Sequence, residues 1–311
     1  MKRRPLAALV LTALLLVAVC ASGCVFSSTI PDTYYSYSVD LSAEAGRALF
    51  DRYDGAAVLV RVDLYEGEGN EGEGSFRPVD KLYRKSTSTG VYVSEDGFLA
   101  LPAGAFVPER YDVNRCGITV TYFTENGAVT SDRVWFYSYA LRNNITIDEN
   151  IFLDEESGVA LVKFPLEGRE NVWMDVSEEN AASFELSDEL YLFSVLPEGA
   201  SNEGTRLLSL ISVAGGEHRA DKNSYVYDNV PRGGRFDNIV SGHFSPCDVG
   251  GIAVDASGRV AGMVISRLMG RGNGDDAAMQ QSDSIYGIAG MADVSRLSAL
   301  LEAAQRSGYA K

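Results

Sequence analysis

His218 and His243 are the only imidazoles in the 311 residues, so a thiol or hydroxyl nucleophile that relies on a histidine base has only these two. The stretch SGHFSPCDVGG places His243 four residues before Cys247 and two after Ser241. A thiol or hydroxyl beside an imidazole transfers acyl groups when the base lies within hydrogen-bond reach and a third group orients it. Spacing alone does not supply that geometry, and a histidine at a strand end commonly serves packing or meets water. Carboxylates crowd the run EGEGNEGEG at residues 66–74. An acidic, glycine-rich loop of this kind fixes no coordination geometry and has nothing to bury. No metal and no cofactor is expected.

The elements that must position these groups are short apolar or alternating runs broken by Gly, Asp and Asn: AAVLVRVDLY, TGVYVSEDGFLAL, GITVTYFTENGAV, GVALVKF, ELYLFSVL, RLLSLISVA, GGIAVDASGRVAGMVI and SIYGIAGM. That rhythm predicts an all-β barrel or sandwich. Glu95-Asp96-Gly97 and Glu125-Asn126-Gly127 read as hairpin turns, and GRGNGDD at residues 270–276 reads as a loop. A brief helix is expected around Glu44 to Tyr53. A longer one is expected over DVSRLSALLEAAQRSG, with Asp293 or Ser295 as cap and Leu297, Leu300 and Leu301 on one face.

The order of these pieces resembles the trypsin-like (chymotrypsin-fold) serine proteases in their bacterial HtrA-type form, over about Ala56 to Arg306. GVYVSEDGFLALPAGAF is similar to the hairpin leading to that family's catalytic histidine, GVALVKF to the strand bearing its aspartate, and SPCDVGGIAVDASGRVAGMV to its nucleophile loop. YGIAGM is similar to the strand lining its specificity pocket. The resemblance implies two packed six-stranded antiparallel β-barrels, over residues 56–164 and 171–290, closed by a helix at 293–307; no PDZ-like extension is expected after them.

Carried over position by position, the resemblance puts the histidine at Gly104, seven residues after Gly97, the aspartate at Gly158, and the serine at Val249. The oxyanion-hole glycine becomes Cys247, and Asp248 stands where the family often has asparagine. Glycine has no side chain and valine only methyls, so neither can act as nucleophile, base or orienting group. A Cβ at position 247 also disfavours the positive φ open to glycine. The resemblance therefore implies a trypsin-like body without its His/Asp/Ser triad, with no catalytic residues. The alternative is a peptidase whose chemistry has moved to Cys247 and His243.

Residues 1–23 read as an export signal: Lys2, Arg3 and Arg4 precede an apolar run of 14 residues, Leu6 to Val19, short of the roughly 20 that a spanning helix needs. Ala21-Ser22-Gly23-Cys24 resembles a bacterial lipobox, which implies cleavage before Cys24 and lipidation of its thiol. Residues 24–55 are then anchor, tether and short helix, and residues 56–311 the folded domain. The expected location is the extracytoplasmic face of a membrane. Cys116 and Cys247 remain in a compartment that permits a disulfide, and their state is left open. Asn144-Ile-Thr is a sequon that matters only in a eukaryotic host.

Formal charge is −16, and taking the three basic signal residues from 27 leaves 24 against 43 acidic, or −19. Such a surface repels phosphate backbones, so nucleic acid is not an expected partner. The expected function is peptide or protein binding at the cell surface by a non-catalytic, lipid-anchored pseudoprotease. A structural envelope lipoprotein is the further alternative.

Overall fold

The computed structural model describes residues 39–66, 81–107, 113–124, 127–136, 150–165, 172–197, 204–219, 225–227, 234–270 and 287–307. Cys24, Asn144, the signal segment, and most of the EGEGNEGEG and GRGNGDD runs lie outside them. Two compact units divide the chain, Met1–Glu44 and Ala45–Lys311. Nearly all the described structure belongs to the second.

Helix α1 (Val39–Tyr53) starts earlier than the expected Glu44. A first sheet follows: β1 (Ala57–Glu66), β2 (Lys81–Tyr92), β3 (Phe98–Pro102), β4 (Val113–Thr124), β5 (Gly127–Phe136), β6 (Ile151–Asp154) and β7 (Val159–Lys163). The second half holds β8 (Glu189–Pro197), β9 (Gly204–Gly215), β10 (His218–Arg219), β11 (Tyr225–Tyr227), β12 (Arg235–Phe236), β13 (Asn238–Ser241), β14 (Ile252–Val254), β15 (Val260–Gly270), β16 (Ile288–Asp293) and helix α2 (Val294–Arg306). The protein is mostly β.

In the second half, β15, β14, β8, β9, β13 and β16 pair in series, and β15 pairs back to β16. That closes a six-stranded antiparallel barrel, with β11 added outside β15. Closure removes the free edges that an open sheet would present. The first sheet differs from the expected six strands. It runs β5-β4-β1-β2-β3-β7-β6, and no pairing among the described residues joins β5 to β6. The seventh strand arises because Ile151–Asp154 turns directly into β7.

Alternation along the strands explains why both faces are apolar. Val58, Val60, Val62 and Leu64 project into the first sheet's own core, with Leu99, Leu101 and Ile118. Their neighbours Ala57 and Leu59 join Ala100, Phe193, Val195, Ile252 and Val254 in a cluster shared by the two sheets. A third cluster, including Leu192, Ile211, Val240, Ala253 and Met291, fills the closed barrel. A strand buried on both faces reads as a continuous apolar run, as FLAL and GIAV do.

Local signals fix the corners. Gly97 takes φ +88°, and its N–H bonds Ser94 O at 3.2 Å. At the β4–β5 hairpin Thr124 pairs with Gly127, while Glu125 and Asn126 lie outside the described residues. Asp293 caps α2 by accepting from Ser295 N at 2.8 Å, and Leu297 buries the helix against the shared core. Tyr53 of α1 donates to Gly258 O at 2.7 Å and meets Phe193 edge-on, with ring centroids 5.7 Å apart.

Candidate functional site

The three positions that the resemblance singles out are carried by three different turns. Gly104 lies in a single helical turn, Ala103–Phe106, immediately after β3. Arg84 of β2 holds that turn, donating to Gly104 O at 2.7 Å, Ala105 O at 2.9 Å and Val107 O at 3.0 Å. Gly158 ends the β6–β7 turn with φ +78° and donates to Asp154 O at 2.9 Å. Its carbonyl accepts from Ala103 N at 2.8 Å, which brings the Gly104 turn and the Gly158 turn together.

Val249 follows a second helical turn, Pro246–Asp248. Asp248 closes it, its carboxylate accepting from Ser245 N and its own N–H bonding Ser245 O at 3.1 Å. Gly250 then takes φ +95° so close to β2 that a Cβ there would lie 1.9 Å from Thr89 O and 3.2 Å from Pro102 Cδ. The loop therefore rests on the first sheet where the Gly104 turn begins.

Thr89, fully buried, joins the two halves. Its N–H bonds Val249 O at 3.1 Å, its hydroxyl donates to Cys247 O at 2.5 Å, and the same oxygen accepts from Val195 N at 2.9 Å. A hydroxyl committed on both sides and shut off from solvent cannot reach a substrate.

Cys247 is only 6% exposed. Burial, followed by the adjacent Asp248 carboxylate, pushes its thiol up to about 11, with Arg267 opposing. At neutral pH a thiol so placed is protonated and a poor nucleophile. His243 is exposed, and among the described residues no hydrogen bond joins it to Cys247. Ser241 Oγ turns instead toward Ser212 O, at a long 3.5 Å. His218 lies in β10 opposite Phe236. Cys116 is buried in the first sheet's core, and no disulfide joins it to Cys247. Among the described residues no cluster of three or more His, Cys, Asp or Glu could hold a metal ion.

No protein-family model matches the chain, and no curated protein does. Solved structures with a similar fold include Deg5, at 13% identity and TM-score 0.46 over 75% of this chain and 91% of that one. The HtrA-type protease AlgW with tripeptide is similar at 13% identity and TM-score 0.45 over 84% of this chain and 62% of that one. A variant of AlgW with tripeptide gives 11% identity and TM-score 0.48, over 83% and 62%. The chain thus spans less than two thirds of the AlgW chains. At such identities nothing about activity transfers, and the chemistry must be read from this chain's own residues.

Those residues supply backbone groups and apolar walls but no acid, base or nucleophile at the three converging positions. Two residues that organise the region, Thr89 and Arg84, carried no signal in the sequence. Thr89 stands in the polar run STST, and Arg84 in the basic stretch KLYRK. Neither pattern announces burial or a contact made across the fold.

Proposed function

We propose that this chain is a lipid-anchored, extracytoplasmic pseudoprotease: a trypsin-like, two-barrel scaffold that binds a peptide or protein without cleaving it. The carrying observation is the composition of the convergent site. Gly104, Gly158 and Val249 occupy adjoining turns and offer no group that titrates or attacks, while the thiol next to them is buried and held protonated near neutral pH. Peptide binding by strand addition uses backbone N–H and C=O groups, so it survives without a triad. The lipobox-like ending at Cys24 supports anchorage outside the cytoplasm.

Two measurements on the full chain test this reading. Incubation with casein and a mixed peptide library should leave both intact. Affinity capture from intact cells should return a specific partner. Turnover abolished by Cys247→Ala or His243→Ala would replace the proposal with the relocated peptidase, and absence of both turnover and a partner would leave a structural envelope protein.

A further inference from the structure

A cleft of about 500 Å³ opens at the far end of β3 from Gly104, between the β2–β3 turn, the segment 172–177 and α2. Gly104, Gly158 and Val249 do not line it, so it stands apart from the function proposed above. Trp173 forms one wall and is 38% exposed, although tryptophan buries a large apolar area when it can. Its backbone is fixed: the next residue, Met174, is fully buried, and Met174 N bonds Tyr92 O at 2.9 Å. The main chain that carries the indole is therefore fixed, and the side chain is presented to solvent.

Around it stand Glu95, Asp96, Asp175 and Glu302. Lys163 neutralises Asp96, and Arg306 pairs with Glu302 from the adjacent turn of α2. Asp175 has no basic partner among the described residues; one carboxylate oxygen accepts Ser177 N at 2.9 Å and the other takes no hydrogen bond. Deeper in the cleft Ser298 is only 8% exposed, yet its hydroxyl makes no hydrogen bond among the described residues. The cleft thus combines a partly exposed indole, excess negative charge and an unpartnered hydroxyl on a largely buried side chain.

The geometry points to a binding site for an arginine side chain of a partner polypeptide. A guanidinium stacks on an indole face more readily than an ammonium does, and its planar fork of donors meets two acceptors at once. Asp175 and the Ser298 hydroxyl are the acceptors, and Leu301 receives the alkyl stem. Exposed Glu302 and Gln305 at the rim leave room for the partner's backbone outside. The chain's formal charge of −16 favours approach of a basic segment over an acidic one.

Tryptophan emission of the full chain, titrated with acetyl-Gly-Arg-Gly-amide, tests the site. The peptide should change the emission saturably. Acetyl-Gly-Nle-Gly-amide, which lacks the charge, and choline, a cation without the fork, should bind at least about tenfold more weakly. Asp175→Asn/Glu302→Gln should weaken the arginine peptide by about tenfold or more with an unchanged thermal midpoint, since both carboxylates are partly solvated. Asp51→Asn/Glu189→Gln removes the same charge elsewhere and should leave binding intact. Equal weakening by both pairs would assign the effect to general surface charge and overturn the site. So would equal binding of the norleucine peptide or choline, or no saturable response to the arginine peptide.

Discussion

Replacing Thr89 by valine is the sharpest perturbation of the joint between the two halves. Valine keeps the shape and removes one hydroxyl from a fully buried position. Two bonds go with it, to Cys247 O at 2.5 Å and from Val195 N at 2.9 Å. β14 pairs with β8 only over Tyr191–Phe193, so Val195 lies beyond its cover. A buried group stripped of its partner costs about 1–3 kcal/mol. With two such groups, partly offset by the easier burial of a methyl, Thr89→Val should cost about 2–4 kcal/mol. Thr89→Ser keeps both bonds and loses one methyl, worth about 1 kcal/mol. Urea unfolding of the two variants should therefore rank serine above valine by at least about 1 kcal/mol at equal m, and amide exchange at Val195 should quicken only in the valine variant. Equal stability, or valine above serine, would refute the view that this hydroxyl ties the loop to both sheets.

Two further perturbations probe the same loop. Gly250→Ala combines a positive φ with a Cβ placed 1.9 Å from Thr89 O, a backbone atom that cannot swing aside. It should lower stability by more than about 3 kcal/mol, read as a large drop in the thermal midpoint. The Cys247 thiol, at about 11 in the folded chain against an ordinary value of 9.0, holds its proton more tightly when folded. Its contribution is fully present below about pH 9 and is lost as pH rises toward 11, because the unfolded chain ionises first. Unfolding midpoints at pH 7 and pH 10 should diverge more in the parent than in Cys247→Ala, and equal divergence would discount the buried thiol.

What the sequence made legible were the features written in short runs. Gly97 after Glu95-Asp96 announced a turn, and a Cβ there would lie 2.6 Å from Pro165 Cα, so only glycine fits. Asp293 and Ser295 ahead of an apolar stripe announced α2 and a cap, a role that falls to Asp293. The closing pair β15–β16 was not legible, because it joins runs separated by a long polar stretch and depends on a register that no local pattern states. Thr89 was hidden for a related reason. STST alternates like the solvated face of a hairpin, and its burial follows only once Val249 and Gly250 settle on it from about 160 residues away. Cys247 looked like an available thiol for the same reason: its reactivity is set by what covers it.

That dependence on cover bears on whether the chemistry can be restored by side chains alone. In Gly104→His/Gly158→Asp/Val249→Ser, the residue types the resemblance calls for would all be present. Position 249 is 2% exposed, however, and its carbonyl is bound to Thr89 N, so a hydroxyl there would lie beneath the surface that a peptide must approach. Position 158 sits at φ +78°, where any residue with a Cβ carries about 1–2 kcal/mol of backbone strain. An aspartate there would leave the turn strained or relax it, and relaxation would pull the carbonyl of residue 158 from the Ala103 N–H that it now holds. The triple variant should therefore hydrolyse no peptide above the parent's background. Hydrolysis that appears in the triple variant and vanishes in the double variant that keeps Val249 would mean that the loop opens readily, and that side-chain identity rather than burial keeps this site silent.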